Sequence, residues 1–358
     1  MSIINRYIIR EVVKLFAIMM GSLVSIYYVV DFFEKIDNFI SSKIPLQKVA
    51  AYFAYKLPFV TAQMIPICLL LAVVVAFGLM NRHNELVAFR SSGVGILYLL
   101  KPVLVIGGIL GVSLFILSEA VVPSTISRAN RMWLEEVKKK SVNTSRERNI
   151  WIRENRKIIH IDYYNPAKKS IFGLVVYEFD DDFNMIRRLD AKSGRFKAPD
   201  WVITDAMEQK YNRQTDVYDV ISHDRIVVPI DLKPEDLTRV VKGSEEMGFT
   251  ELWQYIDQVE TEGYDATPYR VDLQTKAAFP FVCLLMGLLG TGIAAKIRSR
   301  ESLAVIVAAA IVLAFLYWTV YGLFVSLGYG EILPPVVAAW TTNALFLFLG
   351  IYLLALAI

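Results

Sequence analysis

The sequence predicts an α-helical membrane protein with six transmembrane helices and an all-β, jelly-roll-like domain inserted between the third and the fourth. Three observations predict it. The 358 residues are 55% hydrophobic and only 20% charged, against roughly 25% charge in soluble chains. Of the 73 charged residues, 50 fall between Pro123 and Arg270 and only 23 occupy the other 210 positions. Three long apolar runs precede that polar stretch and three follow it.

Each run holds about 20 residues, enough to cross a ~30 Å hydrocarbon core at 1.5 Å per residue. They are Val12–Val30, Leu57–Met80, Leu97–Val122, Ala277–Ala295, Leu303–Leu327 and Pro335–Ile358. Helices are required because backbone groups in lipid must pair internally. Pro58 and Pro66 predict a kink in the second, whereas Pro102 lies near the start of the third and is better tolerated. The first run is too long for the apolar region of a cleavable signal, and no small-residue cleavage site follows it. Residues 1–122 thus form spans one to three, 123–270 the polar domain with helical stalks, and 271–358 spans four to six.

Sidedness follows from lysine and arginine beside the short loops. Arg6, Arg10 and Lys14 precede span one, Arg82, Arg90 and Lys101 flank the loop from span two to three, and Lys296, Arg298 and Arg300 join spans four and five. Parity places these clusters on one side, read as cytoplasmic, with both termini there and the polar domain outside. The loop after span one carries Lys35, Lys43 and Lys48, but Asp31, Glu34 and Asp37 accompany them.

The outward domain reads as β. Ile158–Ile161, Gly173–Phe179, Trp201–Ile203 and Arg225–Val228 are short and rich in β-branched and aromatic residues, and Asn165-Pro166, Asp180–Asp182 and Ala198-Pro199-Asp200 supply turns. Several short strands at this spacing suggest a sandwich or jelly roll. Pro123 to Lys140 reads as a charged helical stalk, and Phe249 to Glu262 as an amphipathic helix leading to span four.

Catalytic constellations are missing. The chain lacks a phosphate loop and the His-Glu-x-x-His, Gly-x-Ser-x-Gly and Cys-x-x-Cys motifs. No catalytic residue, metal site or bound cofactor is therefore expected. His160 and His223 read as ordinary strand or turn residues, and Asp180–Asp182 as a solvated turn rather than a cation site. Cys68 and Cys283 lie in apolar runs and read as small buried hydrophobes. A net charge of +3 gives no argument for nucleic acid.

The cytoplasmic segment Asn81–Gly93 is more informative. It mixes Arg82, Glu85 and Arg90 with Leu86, Val87 and Phe89 and ends at Gly93, which suits a helix C-cap. A short helix at the membrane surface would tuck its apolar side against the bundle and offer Glu85 to a partner; the alternative is a solvated linker helix. Asp31 and Glu119 are the carboxylates that strain against lipid, and snorkelling to water accounts for both.

These residues resemble the LptF/LptG permeases (the YjgP/YjgQ family), which export lipopolysaccharide from the inner membrane of Gram-negative bacteria. The likeness rests on Arg6-Tyr7-Ile-Ile-Arg10-Glu11, on Asn84-Glu85-Leu86 through Ser92-Gly93, on Tyr269 through Lys276 to Phe279-Pro280, and on Gly330-Glu-Ile-Leu-Pro334-Pro335 with Trp340 and Asn343. The third and fourth segments are closer to the G-type than the F-type. The resemblance implies three spans, a periplasmic β-jelly roll and three more spans. It also implies pairing of one F-type and one G-type permease with a cytoplasmic ATPase dimer, LptB, which uses ATP and Mg²⁺. Lipopolysaccharide would enter laterally between the permeases and leave toward a periplasmic bridge including LptC, LptA and LptD. Glu85 matches the coupling-helix glutamate, with Arg82, Leu86, Phe89 and Arg90 around it.

On that reading the outer half of span one, with Tyr27, Tyr28, Phe32 and Phe33, lines the lipid gate, although interfacial aromatics also anchor any helix. G-type permeases can carry a lysine at the outer end of span one; here that position holds Asp31, with Lys35 four residues later. Lys35 could meet the anionic lipid on the same helical face or pair with Asp31. Two other classes stay open: a membrane-anchored sensor or assembly factor whose β domain binds a ligand, and a membrane-embedded lipid-modifying enzyme.

Overall fold

The computed structural model describes residues 3–137, 148–154, 156–165, 169–180, 183–197, 200–212, 215, 217–228, 243–261, 265–295 and 303–356. The chain divides into two compact units, Met1–Ala129 with Lys242–Asp257 and Asp265–Ile358, and Asn130–Val241 with Gln258–Tyr264.

The first unit is helical. Its elements are α1 (Ile3–Ser41), α2 (Leu46–Arg82), α3 (Glu85–Ser91), α4 (Ile96–Ile116), α5 (Val122–Met132), α6 (Phe249–Thr261), α7 (Thr267–Ala278), α8 (Phe281–Ala295), α9 (Leu303–Tyr329) and α10 (Pro335–Ala355), of which α5 and α6 run past its bounds. Among the described residues five helices are long and apolar enough to cross a membrane alone, and α7 with α8, bent by 52° at their break, count as a sixth if the pair is one span. The six predicted runs thus all fall on helices, the fourth on the bent pair. Pro58 and Pro66 both lie inside the uninterrupted α2.

The break follows from Pro280, which has no N–H for the Lys276 carbonyl. The Val282 N–H then turns to Phe279 O at 3.0 Å, which leaves the Ala278 carbonyl without its helical donor. Asn343 on α10 donates to that carbonyl at 3.0 Å, and the Tyr317 hydroxyl on α9 donates to Asn343 Oδ1 at 2.7 Å. Three helices therefore complete a buried backbone group that lipid could not satisfy. Nearby, Gly107 and Gly111 let α4 approach α8: an added Cβ would lie 3.0 Å from Cys283 O or 2.8 Å from Pro280 O. Small residues four apart are the usual means of such close approach in a membrane. Cys68 and Cys283 are buried and unpaired.

α4 continues through a π-helical turn, Leu117–Val121, into α5. In that turn Glu119 accepts the Phe249 backbone N–H at the start of α6. The carboxylate that strained against lipid in the sequence is thus a helix cap, with its charge at the favourable end of the dipole.

Among its described residues the second unit contains six strands, β1 (Arg148–Glu154), β2 (Lys157–Asn165), β3 (Ser170–Phe179), β4 (Met185–Lys197), β5 (Asp200–Asn212) and β6 (Val217–Val228). They form one antiparallel sheet in sequence order. The four predicted segments fall in β2, β3, β5 and β6; of the turn signals Asn165 ends β2, Asp180 follows β3 and Asp200 opens β5, while Pro166, Asp181, Asp182, Ala198 and Pro199 lie outside the described residues. One sheet face is apolar, with Ile159, Ile161, Leu174, Leu189, Trp201 and Ile203 nearly inaccessible.

β1 and β4 escaped the sequence reading. In β4 the charges Arg187, Arg188 and Asp190 mask the inward Leu189 and Ala191, and neighbouring side chains answer them. Arg187 donates to Glu208 Oε1 at 2.6 Å, and Arg188 pairs with Asp190 at 2.8 Å. His223 Nε2 lies 2.8 Å from Glu208 Oε2, and the His160 ring packs against Trp151, tilted by 31° with centroids 4.2 Å apart. No group of three metal-ligating side chains occurs among the described residues.

Burial raises the Glu208 pKa, but the hydrogen bonds and charges of His223 and Arg187 outweigh it and hold the carboxyl below its ordinary value. A depressed folded-state pKa contributes stability above the unfolded value, and that stability is lost as pH falls through the folded one. Hydrogen-exchange protection of β5 is therefore expected to fall as pH drops through the carboxylate range. Glu208→Gln should flatten that dependence; an unchanged profile would remove Glu208 as its source.

Candidate functional site

Two places in the helical unit gather the predicted site residues. The first is α3. Asn84 precedes it at φ 61° and Gly93 follows it at φ 80°. The Val94 N–H reaches back to Phe89 O at 2.9 Å, the six-to-one bond of a Schellman stop, for which glycine is the fitting residue. Leu86 is buried and Phe89 half-buried, so part of the apolar side is tucked in, while Val87 stays exposed. Glu85 opens the helix, where a negative charge suits the exposed N–H groups. Arg82 ends α2 and is exposed, suiting the opposite end of a dipole. The side chain of Arg90 lies outside the described residues.

The partner that Glu85 has inside this chain leaves no local signal in the sequence. The Tyr7 hydroxyl, in the first turns of α1, donates to Glu85 Oε2 at 2.8 Å. Among the described residues Glu85 has no ion-pair partner. It is thus an oriented, partly exposed carboxylate able to accept from a cation outside the chain.

The second place is the far end of the α1–α2 hairpin. Asp31 is only 6% exposed. It accepts from Lys35 at 2.8 Å, and Lys56 on α2 donates to both its oxygens at 2.9 Å. Lys35 also donates to the Tyr52 hydroxyl at 3.0 Å. Buried charges persist when they are paired and hydrogen-bonded, and here two cations share one carboxylate, which leaves the cluster net positive. Sequence reasoning considered the Asp31–Lys35 pair but missed Lys56. The available signal was a lysine at the head of an apolar run, facing Asp31 across a short hairpin.

Beside this cluster Tyr28, Val29, Phe32, Phe33 and Phe53 line an open apolar groove of about 280 Å³. Tyr28 is held there by its hydroxyl, which donates to Phe53 O at 3.0 Å. Of the four predicted aromatics, Tyr28, Phe32 and Phe33 share the groove. Tyr27 does not line it; its ring lies 5.2 Å from the Lys56 ammonium, within cation–π range. The hairpin end therefore joins an apolar trough to a positive cluster, which suits an amphiphile with an anionic head.

The comparisons agree with this architecture. Residues 6–356 match the family described as Lipopolysaccharide export system permease LptF/LptG. The chain is 19% identical over 356 residues to the Lipopolysaccharide export system permease protein LptG of Escherichia coli strain K12, covering 98% of each chain. The same figures hold for LptG of Escherichia coli O6:H1. With its apolar spans and its β-sheet unit, this multi-pass membrane protein belongs to the LptF/LptG family of lipopolysaccharide export permeases.

Proposed function

We propose that this chain is the G-type transmembrane subunit of an ABC transporter that extracts lipopolysaccharide from the inner membrane and passes it to a periplasmic bridge. Its partners in this reading are an F-type permease, LptF, a cytoplasmic LptB dimer that binds ATP and Mg²⁺, and the bridge proteins LptC and LptA. The chain itself supplies no catalytic group. The G-type assignment draws on the two LptG relatives and on the Tyr269–Pro280 and Leu333-Pro334-Pro335 segments.

The observation that carries the reading is α3, a capped helix with Leu86 anchored inward and Glu85 without an ion-pair partner among the described residues. Moving an amphiphile out of a bilayer costs about 0.8 kcal/mol per buried CH₂, so work must arrive from an ATPase through a cytoplasmic contact. The Tyr7–Glu85 bond supports the sidedness, because it brings the Arg6–Lys14 cluster and α3 to one end of the unit. On this topology both termini are cytoplasmic and the β domain is periplasmic.

The lipid path follows the second place. α1 is the most open span, with only 11% of its apolar stretch buried, against 72% in α2. Its groove faces the acyl chains, and Lys35 and Lys56 meet the anionic head. Photo-crosslinking residues at Tyr27, Tyr28, Phe32 and Phe33, in cells that supply lipopolysaccharide, should capture lipid most strongly at the three groove positions. Absence of crosslinks at all four, with crosslinks elsewhere in the bundle, removes the gate assignment.

A further inference from the structure

We infer that Tyr7 is a positioning residue that ties α1 to the coupling helix, so that displacement of α3 reaches the lipid gate through α1 itself. This rests on the reading of α3 as the ATPase-docking element and of the outer half of α1 as the gate.

The tie is a hydroxyl-to-carboxylate bond of 2.8 Å between residues 78 positions apart. Bonds to an ionised acceptor are stronger than neutral ones, and a partner docked over Glu85 would strip water from this one. The helix it holds is a single element of 39 residues with no proline inside, about 58 Å long at 1.5 Å per residue. Helices without proline or an inserted group bend only gently, so a push at Tyr7 is carried to the far end. There α1 is held again, by Asp31 to Lys56 on α2. Between these two polar contacts little of its apolar stretch is buried. A helix so lightly held between two polar contacts passes a push along its axis to the groove that flanks Asp31.

The competing route is α2, which joins α3 directly in sequence. Most of its apolar stretch is buried within the chain, and close-packed interiors resist continuous displacement. Glu85 therefore serves two partners with one carboxylate: Tyr7 on one oxygen and the docked cation on the remaining acceptor sites. A carboxylate has about four such sites.

The test uses the full transporter complex in proteoliposomes loaded with lipopolysaccharide, reading ATPase retention and lipid released per ATP hydrolysed. Tyr7→Phe removes only the hydroxyl. Retention should stay at the wild-type level while lipid released per ATP falls on the order of tenfold, the worth of one hydrogen bond to a charged group. Tyr7→Lys restores a donor of similar reach and should recover the yield to within about threefold of wild type. A wild-type yield in Tyr7→Phe, or a loss that Tyr7→Lys does not restore, overturns the tie. Glu85→Ala measured in parallel separates the two readings. Lost retention there beside an undiminished Tyr7→Phe yield overturns the tie alone, whereas wild-type retention together with a wild-type lipid yield there overturns the docking assignment beneath it.

Discussion

Glu85→Ala is expected to release the ATPase from the purified complex or to leave it hydrolysing ATP without exporting lipid. The carboxylate opens α3 and meets no cation among the described residues, and its neighbour Leu86 is buried and holds the helix in place. An arginine or lysine of the partner would complete it. Removing one member of such a pair at a covered interface costs about 2–5 kcal/mol, much of it from the charge left unpaired, so affinity should fall at least thirtyfold. Glu85→Asp keeps the charge but withdraws it by one methylene, and its effect should be milder. Subunit retention and ATP-dependent lipopolysaccharide release, measured on the same preparation, check both. Wild-type values for both would mean that α3 is a solvated linker and that the joint lies elsewhere.

Asp31→Asn should strongly destabilise the helical unit. The carboxylate is nearly inaccessible and answers Lys35 and Lys56 together. Its loss leaves two ammonium groups facing each other beside the apolar groove, and breaking a buried pair in this way costs about 3–5 kcal/mol. The thermal midpoint in detergent should drop accordingly, with the α1–α2 hairpin opening first. Replacing all three by apolar residues, Asp31→Leu with Lys35→Met and Lys56→Met, should recover most of that loss, since a well-packed apolar substitute is often neutral. The same triple variant should still fail in export, having lost the cations proposed to meet the anionic head. An unchanged midpoint in Asp31→Asn would mean that water already reaches and solvates the cluster.

Much of the architecture was legible because the relevant physics is local. A run of 20 apolar residues declares a span whatever surrounds it, and a charge-rich stretch between two sets of spans declares an aqueous domain. The stop of α3 was legible for the same reason, since Gly93 adopts a backbone angle that suits glycine whatever the helix packs on. β4 was not, because charges flank its inward Leu189 and Ala191, and one of them, Arg187, finds its partners Glu178 and Glu208 on the neighbouring strands. Local alternation is blurred when a strand's polar residues are satisfied by side chains that the strand itself does not carry.

The sequence by itself determined the membrane class, the long apolar runs, the β insert and a short helix opened by Glu85. Only the tertiary structure decided what each charged or polar group answers to. Lys56 finds Asp31 across 25 positions, Asn343 completes the broken fourth span at Ala278 across 65, and Tyr7 reaches Glu85 across 78. Hydropathy and periodicity record whether a residue is turned inward, because burial is a property of one side chain and its helix or strand. They carry no record of which group it meets there, because a hydrogen bond or ion pair joins two side chains whose distance is set by packing alone.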